Sequence, residues 1–236
     1  MSMSLKPLGL AVALALLAGC NQAAPPVDPA ATTADDAMQA APVVATDAAA
    51  PVAAPADVPA PQLQAAMRDL WHGHIAAARD YALAVKAGND ADATAAAGAV
   101  VANAKQIAGA VAGFYGDAAG DGMLTLLAGH WGAVKALNDA RADGNEAAAS
   151  QAMTDLSTNA GEIAKFLAGA NPNLPEDTVR ALMLAHGAHH SQQINLILAG
   201  DTEGEAAEWT AMQSHMDMIA DALAAAIAKQ FPDKAS

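Results

Sequence analysis

Three histidines, His74, His130 and His186, stand 56 residues apart. Neutral imidazole binds Zn²⁺, Cu²⁺, Ni²⁺ and iron, and it can also donate and accept in a buried hydrogen-bond layer. His215 and the adjacent pair His189-His190 enlarge the set. His186 and His190 are four residues apart, which puts them on one side of a helix. The same period of 56 carries further residues. Gly88, Gly144 and Gly200 each sit in a polar turn: Gly88-Asn89-Asp90, Gly144-Asn145-Glu146 and Gly200-Asp201-Thr202. Asn103, Asn159 and His215 open three similar segments, and Leu70, Leu126 and Leu182 also match. Several residue sets sharing one ungapped period mark internal repetition, each copy being two helices and their turns.

The elements that must position these side chains are helices. Residues 62–171 contain no proline and are rich in Ala, Leu, Met, Gln and Lys, all good helix formers. The pattern predicts helices at 62–87, 90–114, 121–142, 146–169, 176–199 and 203–230. The expected fold class is all-α, with three helical hairpins of 56-residue period forming a six-helix bundle. In each hairpin the histidine lies 14 residues before the turn glycine, and the Asn or His lies 15 after it. At about 1.5 Å per residue both stand roughly 21 Å from the turn, facing each other. Both fall on apolar stripes, such as Leu63, Met67, Leu70, His74, Ala78, Tyr81 and Val85. Packed side by side, the hairpins would bring His74, Asn103, His130, Asn159, His186 and His215 into one polar layer.

Two chemistries suit such a layer. In the first it is a metal site, with His74, His130, His186 and His215 as ligands, His190 as a possible fifth, and zinc or copper as the ion. Met183, Met216 and Met218 lie near in sequence, and thioether sulfur favours Cu⁺. Asn103 and Asn159 would then orient the imidazoles. In the second the layer only fixes register among similar Ala-rich helices, as a buried polar residue does in coiled coils. The second requires His–Asn hydrogen bonds within each hairpin. The first requires three or more imidazole nitrogens converging on one point.

Catalysis has less support, because no nucleophile is paired with a base and no nucleophile elbow or phosphate-cradling glycine loop is present. Glu162 and Gln106 suit solvated or capping places, His72 points away from His74, and a haem or small apolar ligand between helices stays open. The chain of 236 residues carries 25 acids against 11 Lys and Arg, a net charge of −14, which argues against a nucleic-acid partner. One cysteine excludes a disulfide framework and multi-cysteine metal sites.

That cysteine, Cys20, has another use. Lys6 precedes an apolar run from Leu8 to Leu17, the length of a signal-peptide core and short for a membrane span. The run ends in Leu17-Ala18-Gly19-Cys20, which resembles a bacterial lipobox. Residues 1–19 are expected to be a lipoprotein signal peptide, and Cys20 the lipidated (palmitate-bearing) N-terminus. Asn21, where retention in the inner membrane usually goes with Asp, implies the outer membrane and its periplasmic face. Residues 21–61 hold 16 Ala and 8 Pro in 41 positions, a composition that blocks helix and sheet and predicts an extended tether. The expected partner is therefore the membrane, through lipid, and 62–236 is the helical-bundle domain.

Leu70-Trp71-His72-Gly73-His74 with Arg79, Phe114-Tyr115-Gly116-Asp117, Ala170-Asn171-Pro172-Asn173 and Gln230-Phe231-Pro232 together resemble, in order and spacing, a family of small helical bacterial and archaeal proteins. The resemblance covers the body and not the tether. It implies histidines at His74, His130, His186 and His215, and it lends no reaction. Where that family usually has Trp-Thr before the first-helix arginine, this chain has Ala77-Ala78. The His189-His190 pair is not a general feature of the family.

Overall fold

The computed structural model describes residues 60–235. The expected signal peptide, Cys20 and nearly all of the expected tether lie outside the described residues. Six helices follow: α1 (Pro61–Ala87), α2 (Asp90–Tyr115), α3 (Asp117–Ala142), α4 (Glu146–Ala170), α5 (Glu176–Ala199) and α6 (Thr202–Gln230). The described residues contain no strand. Pro61 occupies the first turn of α1, where its missing N–H costs nothing.

The three hairpin turns are built alike. Gly88, Gly144 and Gly200 adopt left-handed φ of 66°, 68° and 75°, which glycine reaches without a Cβ penalty. In each, the next residue's N–H returns to a carbonyl five residues back: Asn89 to Ala84, Asn145 to Ala140, and Asp201 to Leu196. This satisfies orphan carbonyls at the helix end. The same three side chains then cap the following helix, accepting from the N–H groups of Asp92, Ala148 and Gly204. The sequence period thus repeats as a hydrogen-bond period.

The opposite end is less regular, and one helix starts earlier than its pattern suggests. α3 begins at Asp117 rather than near 121. Gly120 and Gly122 lie inside the helix because they make room there. A Cβ on Gly120 would stand 2.8 Å from that of Ala112, and one on Gly122 would meet the Phe166 ring at 2.9 Å. These glycines serve close helix approach, which outweighs their poor helix propensity.

Each helix packs against the next in sequence, and α6 returns to pack on α1, so the six close into a ring. α1, α3 and α5 also touch one another at the centre. Ion pairs fasten the closure between first and last helices. Arg68 donates to both carboxylate oxygens of Asp221 at 2.8 and 2.6 Å. Arg79 does the same to Glu205 at 2.6 and 2.8 Å, and stacks over Trp209. Both are forked, two-point contacts, which fix orientation as well as charge.

The apolar interior is divided in two. Towards the hairpin turns, the core is largely alanine, with Tyr81, Trp131, Leu137, Leu156 and Ile194. Small side chains let these helices approach closely. Towards the other end, the core is bulkier, with Met67, Trp71, Ile107, Met123, Ile163, Met183, Met216 and Ile227. The histidines lie between the two clusters.

Candidate metal centre

The ring arrangement follows from the period. His74, His130 and His186 occupy equivalent places on α1, α3 and α5, the three helices that meet at the centre. Equivalent residues around a threefold-like axis must converge, so the three imidazoles face one another. His190 lies one turn further along α5, and its ring joins them. One nitrogen from each of His74, His130, His186 and His190 lies within 4.8 Å of the others. All four side chains are buried.

The rings form a tetrahedron. Five of the six centroid separations are similar: 5.8 Å for His74–His130, 6.0 for His74–His186, 6.1 for His74–His190, 5.3 for His130–His186 and 5.7 for His130–His190. The sixth, His186–His190, is 4.4 Å. Were the rings coplanar, five near-equal edges would make a rhombus with a long sixth diagonal. Here the sixth edge is the shortest, so the fourth ring stands out of the plane of the other three.

These imidazoles have few other partners. Both nitrogens of His130, and Nδ1 of His74 and of His186, are buried without a hydrogen bond. Only His186 and His190 meet directly, Nε2 to Nε2 at 3.1 Å. An unpaired buried polar group is costly, so a cluster of them needs an explanation such as an ion. Burial holds the rings neutral. It pushes His74 down to about 3 and His130 down to about 4, with His130 also acting on His74 and Asn159 pulling His130 the other way. His186 and His190 are likewise held well below the ordinary histidine value, by burial first and by neighbouring imidazoles second. A neutral imidazole keeps a lone pair free for a metal.

The surrounding layer takes a different role from the expected one. Asn103 and Asn159 turn their amide N–H groups to backbone carbonyls instead, although the Asn159 side chain also stands close enough to His130 to favour its protonated form. Asn103 donates Nδ2–H to the Leu70 carbonyl at 2.9 Å, and Asn159 donates to Leu126 at 3.0 Å. His215 makes the equivalent bond, Nε2 to the Leu182 carbonyl at 2.9 Å. In all three the acceptor lies 33 residues before the donor, one helical turn before the clustered histidine. Gly73 and Gly129 clear the way for the amides, since a Cβ there would come within 3.1 and 3.3 Å of them. His215 therefore stands on the hairpin seam, outside the group of four, and His190 takes the fourth corner. The His215 ring lies 5.0 Å from that of His189, whose Nδ1 meets Glu208 at 2.6 Å. His72 faces outward to Asp217 at 2.9 Å, and Glu162 and Gln106 are exposed. Of the three methionines singled out, Met183 and Met216 are buried while Met218 is exposed.

Two features escaped the sequence reading. On the turn side of the histidines, Gln193 joins the Arg79–Glu205 pair, donating to Glu205 at 3.2 Å. On the other side, the bulky core encloses a partly open apolar cavity of about 340 Å³. Met67, Trp71, Met123 and Met183 line it. Trp71 packs its edge on the His74 ring at 6.0 Å, and its indole N–H is buried without a partner. The sequence signal for the cavity was the 56-residue spacing of Met67 and Met123, a bulky pair in an otherwise small-residue chain.

Compared with protein-family models, curated proteins and solved structures, the chain matches none.

Proposed function

We propose that this chain is a metal-binding lipoprotein of the bacterial outer membrane, facing the periplasm and holding one ion among His74, His130, His186 and His190. The observation that supports it is the tetrahedron of four buried, neutral imidazoles, four of whose eight nitrogens are buried without a partner among the described residues. A tetrahedral set of nitrogen ligands suits a closed site, with bonds of about 2.0–2.1 Å in the case of zinc. The rings need only a small inward movement to reach it. With all four corners filled by protein, no position is left for substrate, so the reading is of metal holding or transfer rather than catalysis. Leu17-Ala18-Gly19-Cys20 supports the lipid anchor, and Asn21 the outer membrane.

The alternative is a non-catalytic structural or interaction lipoprotein, in which the same residues only fix packing. The carbonyl-directed bonds of Asn103, Asn159 and His215 favour it for those three residues, since they tie each hairpin at one height. They do not account for the inner four.

Calorimetric titration of the full chain in detergent with Zn²⁺, and anaerobically with Cu⁺, separates the two. Binding of about one ion per chain at micromolar or tighter affinity, abolished by His130→Ala, is the expected result. No binding of either ion overturns the metal reading. Palmitate labelling, lost in Cys20→Ala, tests the anchor.

A further inference from the structure

The charge balance of the four-histidine site selects among ions. The groups acting electrostatically on the four rings are histidines: one another, His215 for His186 and His189 for His190. Among the described residues no carboxylate is hydrogen-bonded or ion-paired to any of the four, and Glu208 meets the neighbouring His189 instead. The buried carboxylate on the turn side, Glu205, is already neutralised by the two-point contact with Arg79. On the other side lies an apolar cavity. An ion among these rings therefore keeps its full charge in a low-dielectric interior. The cost of burying an ion rises with the square of its charge, so a divalent ion is penalised about four times as heavily as a monovalent one.

Geometry removes another candidate. Cu²⁺ prefers square-planar or tetragonal surroundings. The ring separations define a tetrahedron, which suits d¹⁰ ions, namely Zn²⁺ and Cu⁺. Of these only Cu⁺ carries a single charge. A second observation agrees. The cavity stops one turn short of the rings, at Trp71 and Met183, and Met67 and Met123 also stand in its wall. The cavity wall thus offers thioether sulfur close to the site, which suits Cu⁺, while its one charged lining residue is a cation, Lys229, and it carries no carboxylate that would favour a divalent ion.

From charge, geometry and approach, we infer that the four-histidine site takes monovalent copper in preference to divalent ions. The inference rests on the metal-binding reading above and goes further in naming the ion. It assigns the odd feature of the site, four neutral ligands and no carboxylate, to the selection of a +1 charge.

The test is an anaerobic competition on the full chain in detergent. Cu⁺ is buffered by a Cu⁺-specific chelator and Zn²⁺ by a zinc chelator, and the two dissociation constants are compared. The expected Kd for Cu⁺ lies at least about a hundredfold below that for Zn²⁺. Zn²⁺ binding as tightly as Cu⁺ overturns the inference and leaves the metal-binding reading intact. Binding of neither overturns both. His190→Asp then asks whether charge is the cause, because it places one negative charge at a corner. The expected outcome is that the preference for Cu⁺ narrows by at least about tenfold. A ratio unchanged in that variant, with both ions still bound, overturns the charge argument.

Discussion

The first two hairpins and the third share one plan and differ at a few positions. In the first two, Gly73 and Gly129 precede the clustered histidine, Asn103 and Asn159 reach across the seam, and Ala78 and Val134 follow one turn later. In the third, the equivalent residues are Ala185, His215 and His190. The seam bond survives the exchange, because imidazole N–H reaches the Leu182 carbonyl as the amides reach Leu70 and Leu126. The other change adds something new. His190 stands where its counterparts are apolar, and it supplies the corner that threefold repetition cannot. Three equivalent residues around an axis make a triangle. A tetrahedron needs one departure from the repeat, and the third hairpin provides it.

The comparison can be broken at the triangle. His130→Leu removes a ring with both nitrogens unpartnered and replaces it with an apolar side chain of similar size. We expect metal affinity to fall by at least about a thousandfold, while the metal-free protein gains about 1–3 kcal/mol of stability. Titration calorimetry and denaturant unfolding check the two halves. A purely structural layer would show the reverse, with stability lost.

It can be sharpened at the fourth corner. His190→Val makes the third hairpin match the second at that position. The fold should persist, and affinity should fall by about a hundredfold, roughly 3 kcal/mol, leaving a three-coordinate site. X-ray absorption of the loaded variant would count one fewer nitrogen.

Acid supplies a third measurement. The buried rings are neutral in the folded state and titrate far below the ordinary value of 6.5, at about 3 for His74 and about 4 for His130. On acidification the unfolded chain takes up protons before the folded one does. Stability of the metal-free protein is therefore full above pH about 6.5 and declines as pH falls towards 4, each imidazole contributing up to about 1.4 kcal/mol per pH unit. The decline should be shallower in His190→Val, which has one such group fewer. Thermal unfolding at a series of pH values measures the slopes.

The smallest effects belong to the seam. Asn103→Ala and Asn159→Ala should each cost about 1 kcal/mol, since the carbonyl they serve also belongs to a helix. His215→Asn, which makes the third seam like the others, should leave metal affinity within about twofold. A large loss of affinity there would return His215 to the ligand set.

Much of this architecture was legible because repetition made weak signals add. A lone buried histidine says little, but His74, His130 and His186 at one period place three imidazoles on three equivalent helices. The turn glycines and their capping Asn or Asp were readable for the same reason. What was not legible depended on distance across the bundle. Sequence placed His215 opposite His186 and could not show that its nitrogen would be spent on a carbonyl. It placed His190 on the right face and ranked it fifth, although Ala78 and Val134 at the matching places mark it as a departure. The first turn of α3, with Gly120, fell outside the expected helix because the use of that glycine, its close approach to Ala112, involves another helix. The closure of α6 on α1 joins residues far apart in sequence, in the shared apolar core and in ion pairs such as Arg68–Asp221, which no local pattern announces.

That closure has a kinetic consequence. The helix made first is sealed by the helix made last, so the native ring cannot form until nearly the whole body has been synthesised. Contacts between distant parts of a chain are slow to form, because the loop entropy is lost before the contact is gained. The hairpins can zip early through their local turns, yet the first two bring only two of the four imidazoles. A partly folded chain has no complete set of four histidines, so under the proposed metal-binding reading an ion is captured last, as a latch on a ring that has already closed.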